Sequence, residues 1–328
     1  MHIHKHRTPS LLDTIGNTPL VALRTGPPDV RIYAKLETFN PGSSVKDRLG
    51  KYMLEALLDR GEVDPGGTII EPTAGNTGIG MAIAANQLDL EAIFVVPTGF
   101  SEEKEQLMAA LGAEIVHVPN EVGMRGAAEV AYDLAAERDN AVVPQQFRSE
   151  LNVEAHAETT GPEVLEALDG QVGALVVGIG SGGTLMGMAA AIRAEVPDLY
   201  VVAVEPEGST FGRLRGCERT EGPYKTEGIG THEPEVAELL DPTRIDDIVA
   251  IPDREAHVEL KRLARAEGHL VGSSAGAASV AAHRVAEDIA TGAIDAPHPT
   301  VVTVFPDSSE RYLSKHIYGS FDEWMGKS

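Results

Sequence analysis

The sequence has a single cysteine, Cys217, among 328 residues, which excludes a disulfide framework and any thiolate metal site. Arg215 and Arg219 near it favour a thiolate, but a lone loop cysteine carries no assignment. Aromatic residues make up only 5% of the chain, with one tryptophan. Lysine is scarce too: nine of the 27 basic residues, against eighteen arginines. Fifty acidic residues leave a formal charge of −23, and such a surface repels nucleic acid and anionic membranes. The acids are scattered and form no tail. An ordinary acidic cytosolic enzyme fits this balance, and a protein of a salt-rich (halophilic) cytoplasm fits it better, because lysine is also depleted. No apolar run reaches the ~20 residues of a membrane span. The opening "MHIHKHRTPS" lacks the apolar stretch of a secretion signal, so a cytoplasmic chain is expected. His2, His4 and His6 alternate there with no carboxylate or thiol beside them, and no metal site is expected.

What is present is a regular alternation. "RIYAKLE", "AIFVVP", "AEIVHVP", "ALVVGIG", "LYVVAVEP" and "TVVTVFP" are near-continuous apolar runs, as in strands buried on both faces. Between them "SEEKEQLMAALG", "GAAEVAYDLAAERD", "GTLMGMAAAIRAEV" and "AHVELKRLARAEG" carry helical spacing. The reading is an α/β protein with largely parallel sheets covered by helices. At 42% hydrophobic content the chain sustains two lobes. The segment near 145–155, "QQFRSELNVEA", lacks periodicity and is where the chain is expected to pass between them.

Four Gly/Ser/Thr-rich stretches precede helices: "NPGSSVKD", "EPTAGNTGIG", "GIGSGGTLMG" and "VGSSAGAAS". Backbone N–H groups at such positions attract anions. Lys46 in the first is a phosphate ligand, a general base or a Schiff-base amine; its rival Lys35 sits inside a strand without the turn. In the third, Gly178, Gly180 and Gly183 have G-x-G-x-x-G spacing, and Glu205 ends the next strand, as in a dinucleotide site. The same loop is equally a tight turn or a phosphate cradle.

The ordered set "IGNTPL" (15–20), "FNPGSSVKDR" (39–48), "EPTAGNTGIG" (71–80), "GSGGT" (180–184), "EGIG" (227–230), "SSAGAA" (273–278) and "PDSSERYLS" (306–314) resembles the pyridoxal-phosphate-dependent cysteine synthases (O-acetylserine sulfhydrylases). These are similar in fold to cystathionine β-synthase cores and the tryptophan synthase β chain. The resemblance spans the chain. It implies a fold type II enzyme with pyridoxal 5′-phosphate in the cleft between a smaller lobe, 39–151, and a larger one, 1–38 with 152–328. A homodimer is implied.

Carried over residue by residue, the resemblance makes Lys46 the Schiff-base lysine and the base at Cα. Asn76 would meet the ring's 3′-oxygen, and Gly180, Ser181, Gly182, Gly183 and Thr184 its phosphate. Ser274 would face the pyridine nitrogen, where a neutral hydroxyl favours elimination over transamination. Thr73, Ala74, Asn76 and Thr77, with Gln146, would hold the substrate carboxylate. Gly228 and Gly230 would lie near the opening. The family usually has serine where this chain has Ala74, which removes one hydroxyl. The implied reaction is β-replacement through an aminoacrylate: O-acetylserine and sulfide give cysteine. Alternatives are a cystathionine β-synthase-type or O-phosphoserine-using enzyme. More remote are an NAD-binding oxidoreductase, resting on Glu205, and a catalytically silent relative.

The −23 charge makes the folded state self-repelling in dilute buffer, and molar salt cuts the screening length to about 3 Å. The melting temperature is therefore expected to rise between low ionic strength and molar potassium chloride. A flat or falling melting temperature over that range contradicts the halophilic reading.

Overall fold

The computed structural model describes residues 8–326; His2, His4 and His6 lie outside the described residues. Two strands come first, β1 (Leu20–Ala22) and β2 (Arg31–Leu36). An alternating series follows: α1 (Lys46–Asp59), β3 (Thr68–Pro72), α2 (Asn76–Gln87), β4 (Glu91–Pro97), α3 (Glu102–Ala110), β5 (Glu114–Val118), α4 (Gly123–Ala136) and β6 (Ala141–Val142). After α5 (Leu151–Ala155) and α6 (Gly161–Ala167) come β7 (Ala174–Gly178), α7 (Gly183–Glu195), β8 (Tyr200–Pro206) and β9 (Asp247–Ile251). The chain finishes through α8 (Asp253–Arg262), α9 (Ser273–Thr291), β10 (Thr300–Phe305) and α10 (Phe321–Trp324). It divides into two compact units, residues up to 17 with 40–145, and residues 18–39 with those from 146 onward.

The first unit holds a four-stranded sheet in the order β5-β4-β3-β6, with every pairing parallel. Side chains alternate across a strand, so Ile70, Ile93 and Val95 share a core with Ala127 and Ala131 of α4. Residues 8–17 group with this unit rather than the other. Gly16 N–H donates to Asn40 Oδ1 at 2.9 Å, and Lys51 Nζ to the Leu12 carbonyl at 3.2 Å.

Helices α1 and α2 meet backbone to backbone. A Cβ on Gly50 would lie 2.4 Å from the Gly80 carbonyl group, and one on Gly80 would lie 2.3 Å from the Lys46 carbonyl oxygen. Only glycine allows this approach, so the pair "G50" and "G80" sets how near the start of α1 lies to α2.

The second unit holds a six-stranded sheet in the order β1-β2-β10-β7-β8-β9. It is parallel except that β1 runs antiparallel to β2. On one face Val176, Val202, Val204 and Val301 pack with Ala275, Ala277 and Ala281 of α9. On the other, Leu175, Val177, Val201 and Val302 pack with Leu185, Met188 and Ile192 of α7. Burial on both faces explains the unbroken apolar strands, each such side chain stabilising the fold by roughly 1.5–3 kcal/mol. Parallel order also puts the carboxyl ends of β7 and β8, and the glycine loop before α7, at one edge.

Alanine is ordinarily a better helix former than glycine by about 1 kcal/mol. Gly80→Ala should nonetheless lower the melting temperature, because its methyl would overlap the Lys46 carbonyl and overpacking costs typically 1–3 kcal/mol. Thermal unfolding followed by circular dichroism measures this; an unchanged or raised midpoint would mean the helices separate freely.

Candidate functional site

Lys46 is the first residue of α1, and the turn before it is fixed by side chains. Ser43 N–H donates to the Asn40 carbonyl at 2.7 Å, and Ser43 adopts a left-handed φ of +53°. Asn40 Nδ2 donates to the Ser44 carbonyl at 3.0 Å. The buried Asp47 carboxylate accepts from Gly42 N–H, where an acid in the first helical turn is favoured. Lys46 itself is half-buried, yet desolvation of its ammonium lowers the pKa from 10.5 to about 8. Lys35 is in a different position. It is 1% exposed, donates to the Thr18 carbonyl at 2.6 Å and pairs with Glu163 at 2.6 Å.

The substrate loop of the sequence reading forms the start of α2 in the same unit. Gly75 is the N-cap and no side chain caps the helix. Thr73 Oγ1 accepts from Gly75 N–H at 3.3 Å. Thr73 and Thr77 are buried, whereas Ala74 and Asn76 are half-buried. The Gly50–Gly80 contact ties this helix to Lys46, so the first unit gathers Lys46, Thr73, Ala74, Asn76 and Thr77.

The second unit gathers the rest: Gln146, the 180–184 loop, Gly228, Gly230 and Ser274. Gly182 is the left-handed N-cap of α7, with φ +88°. A Cβ on Gly183 would lie 2.1 Å from Asn152 Oδ1. The first N–H groups of α7 have no partners inside the helix, which suits an anion. Gly230 N–H donates to the Ile179 carbonyl at 2.8 Å, holding "EGIG" beside this loop, and Gly228 needs its φ of +83°. Ser274 is 3% exposed. Helix α9 has Gly272 as its N-cap and no side-chain cap, so the Ser274 hydroxyl is not spent on capping.

Four residues here escaped the sequence reading. The Asn152 amide donates to the Gln146 carbonyl at 2.7 Å and to Ser181 Oγ at 2.9 Å, linking two candidate segments. Buried His156 opens a π-helical turn, His156–Thr160. Its Nε2 lies 3.1 Å from Thr184 Oγ1 and its Nδ1 2.8 Å from Thr160 Oγ1. Asp253 accepts from Lys225 N–H (2.7 Å), Thr226 N–H (3.0 Å) and Thr226 Oγ1 (2.8 Å), anchoring the segment before "EGIG". Ser273 Oγ then accepts from Glu227 N–H at 3.0 Å, and Lys315 pairs with Glu227 at 2.5 Å. The sequence carries no signal for His156; only the fold brings it to Thr184.

Glu205 overturns the dinucleotide alternative. It is fully buried, and its carboxylate accepts from Phe211 N–H (2.7 Å), Gly212 N–H (3.0 Å) and Arg219 Nε (2.8 Å). A carboxylate so occupied has no room for a ribose.

The first unit thus holds an amine of lowered pKa, and the second a glycine loop feeding a helix start and a buried hydroxyl. A family model described as pyridoxal-phosphate dependent enzyme matches residues 11–307, and the chain belongs to that family. Its cofactor is pyridoxal phosphate. An O-acetylserine dependent cystathionine beta-synthase of Bacillus subtilis (strain 168) is 46% identical over 310 residues, covering 94% of this chain and 97% of that protein. A cysteine synthase of Helicobacter pylori (strain ATCC 700392 / 26695) is 42% identical over 314 residues, covering 94% and 98%. The solved structure of a cysteine synthase from Entamoeba histolytica superposes with a TM-score of 0.88 at 31% identity, covering 99% of this chain and 96% of that one. The fold is that of the fold type II enzymes. No helix among the described residues is long and apolar enough to cross a membrane.

With a pKa of about 8, roughly one tenth of Lys46 is a free amine at pH 7, against well under 0.1% for an ordinary lysine. In cofactor-free protein, acylation of Lys46 followed by mass spectrometry should show a rate midpoint near pH 8. The folded state disfavours the ammonium, so the unfolded chain binds more protons between about 8 and 10.5. Stability due to this group rises with pH across that window. A labelling midpoint at or above pH 10 contradicts the lowered pKa.

Proposed function

We propose that the chain makes cysteine from O-acetylserine and sulfide, exchanging the acetate on Cβ for a thiol. The observation that carries this is the Lys46 amine, held at the start of α1 with its pKa lowered to about 8. Pyridoxal phosphate, when bound, supplies the electron sink that acidifies the Cα–H of an amino acid.

The residues present fit that cofactor. The amine of Lys46 would hold its aldehyde carbon, and Asn76 would meet the oxygen on its ring. Gly180, Ser181, Gly182, Gly183 and Thr184 would take its phosphate, where any side chain at Gly183 would strike Asn152. His156 orients the Thr184 hydroxyl: with Nε2–H donating to Oγ1, that hydroxyl keeps its proton for a phosphate oxygen. Ser274, buried and uncapped, would offer the ring nitrogen a neutral partner, which favours elimination over transamination.

Thr73, Ala74, Asn76, Thr77 and Gln146 would bind the substrate carboxylate, helped by the positive end of α2. Lys46 Nζ would be the base that takes the Cα proton. Acetate leaves Cβ, hydrosulfide adds there, and Lys46 returns the proton to Cα. Gly228 and Gly230 would leave the opening clear of side chains. The reading includes a cytoplasmic homodimer adapted to salt, acting on small molecules only.

O-acetylserine is favoured over O-phosphoserine because the substrate loop 71–80 carries no basic residue, and the arginines ahead of "EGIG" already bind backbone carbonyls. Arg215 donates to the carbonyls of Pro242 and Ile245, and Arg213 to the carbonyl of Arg219. A second reading keeps O-acetylserine and replaces sulfide with homocysteine, giving cystathionine. The 46% identity to the Bacillus subtilis relative of that name favours it.

Steady-state assays of cofactor-loaded protein separate these readings. With O-acetylserine and sulfide, cysteine should form, with kcat/KM well above that for O-phosphoserine. Cystathionine formed from homocysteine with no cysteine from sulfide selects the second reading; no product from either acceptor contradicts both. Lys46→Ala should reduce turnover by at least the roughly 10²–10⁴ that general-base assistance supplies. Lys46→Arg should not restore it, since a guanidinium stays protonated.

A further inference from the structure

Away from these residues, the second unit holds a cavity of about 380 Å³ lined by His257, Val258, Lys261, Arg262, Arg265 and Phe321. That volume lies in the range of small-molecule sites. In a chain of charge −23, this wall presents three cations and no carboxylate. Arg262 is committed to Glu259 and Glu267. Lys261 Nζ donates one proton to the Gly319 carbonyl at 2.7 Å, leaving two donors. Arg265 is exposed and forms no hydrogen bond or ion pair among the described residues.

The rest of the wall is apolar. Val258 is 64% exposed, and the Phe321 ring lies under the Arg254 guanidinium at 4.3 Å. His257 is 2% exposed and stacks on Trp324 at 5.1 Å. It is hydrogen-bonded to the Ile317 carbonyl, while its Nε2 has no partner. An apolar floor, a spare guanidinium fork and a buried nitrogen without a partner therefore meet in one place.

We propose that this cavity binds a small organic carboxylate with an apolar, ring-sized body. The body would lie on Phe321, Val258 and the aliphatic stems of Lys261 and Arg265. The carboxylate would take the two-pronged Arg265 fork and the spare Lys261 donors. A bare inorganic anion leaves the apolar wall unused, and a neutral ring leaves the cations unused. A monoanion is preferred over a phosphate dianion, which meets the field of a chain at −23 with twice the charge.

Trp324 is the only tryptophan in the chain and reports on His257 directly. Phenylacetate is titrated into cofactor-loaded protein at one fixed salt concentration, reading tryptophan fluorescence and the visible absorbance of the cofactor together. A saturable fluorescence change with unchanged visible absorbance is expected. Arg265→Ala should raise the half-saturating concentration by roughly tenfold or more, as loss of a charged hydrogen bond implies, with partial recovery in Arg265→Lys. Thr73→Ala should leave the titration unaltered. The proposal is overturned by no saturable change, by an equal response to benzyl alcohol or inorganic phosphate, by full retention in Arg265→Ala, or by loss in Thr73→Ala, which would assign the response to the substrate loop.

Discussion

The closeness of α1 and α2 governs the first unit. Where Gly50 and Gly80 meet there is no space for a methyl group, and the Lys46 carbonyl lies against the same point. Two helix starts are thereby locked together, one bearing Lys46 and the other bearing Asn76 and Thr77. A lysine on a loose loop would stay hydrated and protonated near its usual pKa. Lys46 is fixed at the start of this helix pair, and burial of its amine lowers its pKa to about 8.

The second unit solves a related problem with polar side chains. Its glycine loops have little to hold them through packing, so buried groups bind their backbones and hydroxyls instead. Asn152 joins Gln146 to Ser181, His156 bridges Thr160 and Thr184, and Asp253 grips residues 225 and 226. Glu205 does the same for residues 211 and 212. Hydrogen-bonded polar groups of this kind favour a single arrangement, although Asn152 Oδ1 itself has no partner among the described residues.

Much of this was legible in the sequence because the physics is local. β4, β7, β8 and β10 read as strands since parallel strands covered on both faces are apolar throughout. The glycine loops read as anion sites because their spacing survives without tertiary knowledge. The two-residue β6 was not legible, being too short to show a period, and β9, "DIVAI", went unread although it is apolar. The supporting residues were hidden for another reason: Asn152, His156 and Asp253 act through contacts up to 29 positions away in sequence. Glu205 illustrates the same limit. Its place at a strand end suited a ribose, and only the fold reveals that two backbone amides and Arg219 already occupy it.

The central claim is that Lys46, and not the buried Lys35, is the amine that carries the cofactor. Borohydride reduction of the loaded protein makes that link permanent, and peptide mass mapping then locates it. The account predicts one phosphopyridoxyl group per chain, on the peptide containing Lys46. A group on Lys35, or on any other lysine, would contradict it.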